Sequence, residues 1–195
     1  MLMLERRRLL NSNIVKLSHE VFHDVVVPGD TVVDATCGRG LDSLVLARLL
    51  QGEGKLVVYD IQQEALESAQ KLFMHSLTEK EASIIELKAC SHEVFTETQV
   101  KLIHYNLGYL PLGNKEITTL ENTTLKSLES ALQAITPQGV ITVVCYPGHD
   151  EGARETLAVE RWAGRLDPKQ WLVSIHYIVN RLKAPRLLVI RSLNC

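Results

Sequence analysis

Short apolar runs alternate along the chain with longer segments in which apolar residues recur every three or four positions. The runs have strand length and the segments have helix length, so the pattern predicts a largely parallel sheet covered by helices on both faces. Predicted helices cover residues 14–26, 41–50, 63–75, about 122–135 and 151–165. Predicted strands cover residues 31–35, 55–59, 84–89, 102–105, 140–145, 171–179 and 186–191.

The last two predicted strands are separated by only six residues, 180–185. A parallel crossover needs a longer connection, so these strands should form an antiparallel hairpin at the sheet edge. Seven strands that end in such a hairpin are typical of Rossmann-like methyltransferases, whereas dinucleotide dehydrogenases usually finish with parallel βα units. We therefore expect an α/β fold of the Rossmann-like class I methyltransferase type, with a seven-stranded, mostly parallel sheet.

Composition fits one globular unit. The 195 residues, 46% of them hydrophobic, predict a single domain over 1–195, with a basic arm in residues 1–13 that contains Arg6–Arg8. The four cysteines form no C-x-x-C pair, which argues against a disulfide framework and a thiolate zinc site and favours the cytoplasm. No apolar run approaches 18 residues, so we expect no membrane partner.

Charge is distributed unevenly. Residues 161–195 hold seven Lys or Arg and one Asp, a balance of +6, while the rest of the chain carries -8. A basic end on an acidic body is consistent with a phosphate-binding face, although a solvated surface is the simpler interpretation.

A glycine-containing turn, D-A-T-C-G-R-G from Asp34 to Gly40, lies where the first strand meets its helix. Gly38 and Gly40 let the backbone turn tightly, and Asp34 suits the cationic amino-acid part of S-adenosylmethionine. A pyrophosphate disfavours that carboxylate, and Ser43 stands where the dinucleotide fingerprint needs a third glycine. The turn therefore favours a nucleoside cofactor of the S-adenosylmethionine type over NAD(P).

Other polar residues at strand ends complete the predicted cofactor site. Asp60 ends the second strand, where its carboxylate can accept both ribose hydroxyls. Ser91 and His92 follow the third strand, where methyltransferases contact adenine, with a helix cap as the alternative. The predicted cofactor-binding residues are Asp34, Thr36, Gly38, Gly40, Asp60, Gln62, Ser91, His92 and Asn106.

His19-Glu20-Val21-Phe22-His23 matches the H-E-x-x-H pattern of zinc hydrolases. Pro28-Gly29 end the helix soon afterwards, and no third ligand is evident in the sequence. We therefore expect no metal site here, and expect a helix that packs its apolar side inward with His19 near the cofactor or the substrate. Cys37 is interpreted as a small turn residue rather than a nucleophile.

Asn106-Leu107-Gly108-Tyr109 ends the fourth strand, where exocyclic-amine methyltransferases carry an Asn/Asp-Pro-Pro-Tyr/Phe sequence. The Asn106 side-chain oxygen and the Leu107 carbonyl can accept the N–H bonds of a nitrogen nucleophile, and Tyr109 can stack on its base. An alkylammonium must first lose a proton, and His149 in the turn after the fifth strand is the candidate acceptor. The predicted catalytic residues are Asn106, Tyr109 and His149. Thr118 and Thr119 either line the pocket or belong to a helix cap.

From about residue 14 to 191, the chain resembles the family labelled putative rRNA methylase, the YtqB-like proteins of the MnmM type. The shared segments are D-A-T-C-G-R-G, Y-D-I-Q, S-H, N-L-G-Y-L-P, I-T-T, Y-P-G-H and the loop 180–185. The resemblance implies methylation of the 5-aminomethyl group on wobble (2-thio)uridine of tRNA by S-adenosylmethionine.

Two departures from the family pattern concern the substrate. Leu41-Asp42-Ser43 replaces the usual His-Asp-Thr, and Asn180-Arg181-Leu182-Lys183-Ala184-Pro185 replaces a loop richer in neutral amides. The resemblance implies tRNA as the partner, and the added cations favour phosphate binding, so this loop and Arg186 are predicted to contact the anticodon stem-loop. The predicted substrate-binding residues are His19, Thr118, Thr119, Asn180, Arg181, Lys183 and Arg186. Methylation of rRNA or of a small amine, an NAD(P)-dependent oxidoreductase and a non-catalytic RNA-binding module are the alternatives, and a homodimer is left open.

Overall fold

Strands and helices alternate along residues 13–108 and 121–194, the part of the chain that this computed structural model describes. The helices are α1 (Ile14–Val25), α2 (Leu41–Leu50), α3 (Gln63–Ser76), α4 (Glu79–Ser83), α5 (Glu121–Ala134) and α6 (Asp150–Ala163). The strands are β1 (Thr31–Asp34), β2 (Lys55–Asp60), β3 (Ile85–Ala89), β4 (Val100–Asn106), β5 (Ile135–Cys145), β6 (Trp171–His176) and β7 (Arg186–Ser192).

The strands form one sheet in the order β3-β2-β1-β4-β5-β7-β6. The pairs β1–β2, β1–β4, β2–β3 and β4–β5 are parallel, and β7 runs antiparallel to both β5 and β6. The predicted fold class is therefore confirmed, including the antiparallel hairpin at the edge. Because the order of successive strands reverses between β1 and β4, the carboxyl ends of these two parallel strands meet at the crevice where ligands bind in open α/β sheets.

Alternate residues of the central strands point to two separate cores. Val32 packs with Phe22 of α1, Leu46 of α2 and side chains of α3, whereas Val33 packs with Leu128 of α5 and side chains of α6. All five of these residues have no exposed surface. Burying a side chain of this size contributes about 1.5–3 kcal/mol, so each face holds its own helix layer against the sheet.

Three details differ from the sequence prediction, and one of them is that β5 begins at Ile135, five residues earlier than predicted. The short helix α4 was not predicted, because one turn shows no apolar period; its capping box, in which Thr78 and Glu81 exchange hydrogen bonds, holds it. Strand β6 ends at His176, three residues earlier than predicted. His176 already pairs with Leu187, next to the first residue of β7, so residues beyond this point soon run out of partners.

Within the described ranges, no helix combines the length and apolar character needed to cross a membrane.

Candidate functional site

The turn after β1 needs glycine for two reasons. Gly38 and Gly40 have φ of 52° and 78°, in the left-handed region that L side chains rarely adopt. A β-carbon on Gly40 would also lie 2.7 Å from the β-carbon of Ala69, so this glycine lets α3 approach the turn closely. The amide of Cys37 donates to the Tyr59 carbonyl at 2.8 Å, which fixes the turn to the end of β2.

Asp34 lies beneath this turn and has no exposed surface. One carboxylate oxygen accepts from the amide of Thr36 at 3.1 Å, and the other accepts from the hydroxyl of Ser43. Burial raises the pKa of Asp34 to about 6, against a smaller opposing effect of His104. The structure therefore places Asp34 where it shapes the turn from below, with its carboxylate engaged inside the protein.

Asp60 joins the end of β2 to the same turn. Its Oδ2 accepts from the amide of Gly38 and its Oδ1 from the amide of Gln62, both at 2.9 Å. Burial raises the pKa of Asp60, while these amides oppose the change. A carboxylate has about four acceptor positions, so Asp60 keeps capacity for two hydroxyl donors.

Ser91 and His92 lie in a turn after β3 and do not begin a helix. The Ser91 hydroxyl accepts from the amide of Glu93 at 3.2 Å. The His92 ring packs edge-on against Tyr105 at 5.7 Å, and its buried Nδ1 has no hydrogen-bond partner among the described residues. Burial lowers the pKa of His92, so the ring is neutral at pH 7. The helix-cap alternative for this segment is therefore wrong.

Asn106 ends β4 and is tied to the glycine turn, because its amide donates to the hydroxyl oxygen of Thr36 at 2.7 Å. Its side chain is held at both ends: Nδ2 donates to Asp42 at 2.9 Å, and Oδ1 accepts from the hydroxyl of Tyr146 at 2.8 Å. An ionised carboxylate only accepts hydrogen bonds, so the NH₂ group must face Asp42 and the carbonyl oxygen must face Tyr146.

Asp42 connects several side chains of this site, although it is not among the predicted site residues. It lies in the first turn of α2, is 7% exposed and bonds His19 Nε2 at 2.6 Å; His104 Nε2 lies 3.4 Å from its other oxygen. Burial alone raises the pKa of Asp42, but the two imidazoles and the Asn106 amide outweigh it and hold the pKa well below its usual range. An Asp in the first turn of a helix is common, because its negative charge interacts favourably with the helix dipole. The sequence therefore contained no signal that Asp42 belongs to the site.

The H-E-x-x-H motif does not gather its histidines at one site. His19 faces Asp42, whereas His23 is exposed near the end of α1. Residues 13–108 and 121–194 contain no group of three or more His, Cys, Asp or Glu side chains placed to hold a metal ion.

His149 precedes the first residue of α6 and caps that helix. Its Nδ1 accepts from the amide of Gly152 at 3.1 Å. Tyr109, which is also predicted to be catalytic, lies outside the described residues, as do Thr118 and Thr119.

The loop between β6 and β7 lies beside the turn that carries Tyr146. A β-carbon on Gly148 would lie 3.5 Å from the Lys183 carbonyl oxygen, so the two loops are adjacent. Asn180, Arg181 and Lys183 are exposed. Arg186 is engaged within the protein, since it pairs with Glu160 at 2.6 Å and lies 5.7 Å from the ring of Tyr177.

Comparisons with known proteins identify the family of this chain. The family model described as "Putative rRNA methylase" matches residues 56–192. A relative from Arabidopsis thaliana, named "tRNA (mnm(5)s(2)U34)-methyltransferase, chloroplastic", is 35% identical in an alignment of 182 positions that covers 88% of this chain. This chain spans 66% of the length of that relative.

Two solved structures share the fold over nearly their whole length. A "putative rRNA-methylase" from Clostridium thermocellum has a TM-score of 0.87 and 33% identity, covering 93% of this chain and 97% of its own. A "putative methyltransferase" from Streptococcus mutans, solved in complex with SAH, has a TM-score of 0.81 and 24% identity, covering 94% and 99%. With the family model matching more than half of its residues, the chain belongs to the rRNA methylase family.

Proposed function

We propose that this protein transfers a methyl group from S-adenosylmethionine to the 5-aminomethyl group of wobble (2-thio)uridine in tRNA, which yields 5-methylaminomethyl-(2-thio)uridine. The observation that carries this proposal is the fixed carboxamide of Asn106 at the carboxyl end of β4, tied directly to the glycine turn. An acceptor of N–H bonds that is tied to the glycine turn supports a nitrogen nucleophile in this reaction.

The cofactor is S-adenosylmethionine, and the crevice at the ends of β1 and β2 fits it. When bound, it supplies an electrophilic methyl group on a sulfonium sulfur. Asp60 retains acceptor capacity for the two ribose hydroxyls, and we place the adenine beside the turn that carries Ser91 and His92. We assign Asp34, Thr36, Gly38 and Gly40 the task of shaping the turn, because Asp34 is fully buried. Gln62 supports Asp60 through its backbone amide.

The acceptor nitrogen is positioned by Asn106. Its Oδ1 uses one lone pair for the Tyr146 hydroxyl, and the second remains for an N–H of the substrate. The Leu107 carbonyl and the ring of Tyr109 complete our proposed acceptor site. The sulfide that leaves needs no proton, so alignment of the amine lone pair with the methyl group supplies much of the rate enhancement.

Exposed positive charge supports tRNA as the partner. The exposed Arg181 and Lys183 lie next to the turn after β5, whereas Arg186 is already paired with Glu160. Phosphates of an anticodon stem-loop suit such an exposed pair of cations. The name of the Arabidopsis relative specifies tRNA and the wobble position U34, which agrees with this choice.

The charge argument can be tested by the salt dependence of tRNA binding. In the double variant Arg181→Ala/Lys183→Ala, we expect the negative slope of log affinity against log salt to become smaller in magnitude by about 2, since each lost phosphate contact removes about 0.9. Arg186→Ala should change the slope less, because Glu160 already neutralises that cation. A double variant with the wild-type affinity and slope would remove this loop from the interface.

The reaction itself is tested by nucleoside mass spectrometry. The protein is incubated with S-adenosylmethionine carrying an isotope-labelled methyl group, in separate reactions with tRNA that contains 5-aminomethyl-(2-thio)uridine, with ribosomal RNA and with a free alkylamine. We expect labelled 5-methylaminomethyl-(2-thio)uridine and no labelled nucleoside from ribosomal RNA. Label in ribosomal RNA, or in a free amine alone, would overturn the substrate assignment and leave methyl transfer standing.

A further inference from the structure

Two histidines near the acceptor site are held through opposite ring nitrogens. His19 uses Nε2 to bond Asp42 at 2.6 Å, and His149 uses Nδ1 to accept from the amide of Gly152 at 3.1 Å. An ionised carboxylate has no proton to donate, so Nε2 of His19 carries the proton and the lone pair is on Nδ1. The neutral ring of His149 has the opposite tautomer, with its proton on Nε2.

This difference decides which histidine is suited to accept a proton. A neutral His149 gains a proton only at Nδ1, the atom that caps α6, so protonation would break the cap. His19 gains a proton at Nδ1 while Nε2 stays bonded to Asp42, and the resulting imidazolium lies against a carboxylate. The sequence had suggested His149 for this task, and the cap explains why His19 is better placed.

His19 is also connected to the acceptor site. The two oxygens of the Asp42 carboxylate bond His19 and Asn106, one each, so both side chains belong to the same hydrogen-bonded group. The His19 side chain is 23% exposed. The other imidazole beside Asp42, His104, has no exposed surface and cannot meet a substrate.

The surrounding titratable groups come from three strands. His104 of β4, Asp34 of β1 and Tyr146 after β5 all lie close enough to influence the charge of Asp42 or to be influenced by it. Of these groups, Asp34 and His104 are fully buried. Burial and the nearby Asp42 raise the pKa of Tyr146 to about 12, so its hydroxyl keeps its proton at neutral pH.

We propose that His19 accepts the proton of the substrate ammonium, and that Asp42 is a positioning residue that fixes the His19 tautomer and the Asn106 carboxamide together. This inference rests on the proposed function, since an alkylammonium must lose a proton before its nitrogen can attack. One N–H bond of the ammonium breaks and its electron pair stays on the amine nitrogen. The proton forms an N–H bond at Nδ1 of His19 and later passes to solvent.

The kinetic test compares His19→Gln with His23→Gln, which changes an exposed histidine on the same helix. A general base typically contributes 10²–10⁴-fold, so we expect kcat of His19→Gln to fall about 100-fold at pH 7 with the KM for tRNA unchanged. The deficit should shrink towards pH 9.5, because the amine then loses its proton to solvent. Imidazole added to His19→Ala should restore part of the rate, and His23→Gln should match the wild type.

A second measurement does not depend on activity. Nitrogen-15 NMR of histidine-labelled protein should show the Nε2-protonated tautomer for His19 in the wild type and a change in its tautomer or population in Asp42→Asn. A proton on Nδ1 of His19 in the wild type would overturn the inference. So would a folded His19→Gln variant with the wild-type kcat and pH profile. A wild type that never methylates the aminomethyl group would instead overturn the proposed function, and the inference with it.

Discussion

The glycine turn and the acceptor site lie side by side, but they are built from contacts of very different range along the chain. Asp34 and Asp60 each bond an amide two residues further on, and the bond from the Gly38 amide to Asp60 spans 22 positions. The Asn106 side chain bonds Asp42 and Tyr146, which are 64 and 40 positions away. The cofactor side therefore depends on contacts within two successive strand-to-helix connections, whereas the acceptor side exists only when β1, β4 and β5 are already neighbours in the sheet.

The largest effect should come from removing the side chain of Asn106, which bonds both Asp42 and Tyr146 in the acceptor site. We expect Asn106→Ala to lower kcat/KM for methyl transfer about 1000-fold, because the amine loses its alignment. Binding of S-adenosylhomocysteine, measured by calorimetry, should stay within about threefold of the wild type if the two sides are separate.

The matched control for this variant is Asn122→Ala, an exposed asparagine in α5 that should leave both quantities unchanged. An Asn106→Ala variant that loses cofactor affinity and activity to the same degree would break the distinction between the two sides.

The same contrast explains what the sequence predicted. The apolar periods, the glycine turn and the six-residue gap before the last strand carried the fold class and the cofactor crevice, because they express local geometry. Asp42 and Tyr146 were missed as members of the site, since a first-turn Asp and a loop Tyr have ordinary local explanations. Their partners are chosen by strand order, which no single segment encodes.

On the glycine-turn side, the contribution of Asp34 can be measured as a change in the free energy of unfolding with pH. Burial raises the folded-state pKa of Asp34 to about 6, from an ordinary value of 3.8. The folded protein therefore holds this proton more tightly than the unfolded chain, so the contribution to stability is full below about pH 4 and is lost as the pH rises through 6. Two pKa units correspond to about 3 kcal/mol as an upper limit.

Asp34→Asn removes this titration. Measured by urea unfolding, the stability of the variant minus that of the wild type should rise by up to about 3 kcal/mol between pH 4 and pH 7. Other titrating groups are common to both proteins and cancel in the difference. The exposed Asp24→Asn should give a difference that does not change with pH, and the same flat result for Asp34→Asn would mean that this carboxyl ionises as freely as in the unfolded chain.

A smaller effect should come from Asp60 on the cofactor side, and it tests whether that side is independent of the acceptor site. In Asp60→Asn only one side-chain oxygen remains to accept from the amides of Gly38 and Gln62, and the charge offered to the ribose is lost. We expect affinity for S-adenosylhomocysteine to fall about 30-fold, which corresponds to about 2 kcal/mol, the scale of a hydrogen bond to a charged group.

Affinity of Asp60→Asn for tRNA, measured without cofactor, should be unchanged. The exposed Glu64→Gln on the adjoining helix serves as the control for the loss of a negative charge. If Asp60→Asn lowered the affinity for tRNA by the same factor as the affinity for S-adenosylhomocysteine, the two sides would form a single structural unit.

The smallest effect concerns the hydroxyl that fixes the Asn106 carbonyl. Tyr146→Phe removes one hydrogen bond at 2.8 Å and leaves the bond from Asn106 to Asp42 in place, so we expect kcat to fall about tenfold with KM unchanged. Because the pKa of Tyr146 is about 12, the hydroxyl stays protonated from pH 6 to 9 and the loss should be constant over that range. The exposed Tyr177→Phe keeps its ring beneath Arg186 and should behave as the wild type. A loss for Tyr146→Phe that grows or shrinks with pH would mean that this tyrosine exchanges a proton during the reaction, which a residue that only orients Asn106 does not do.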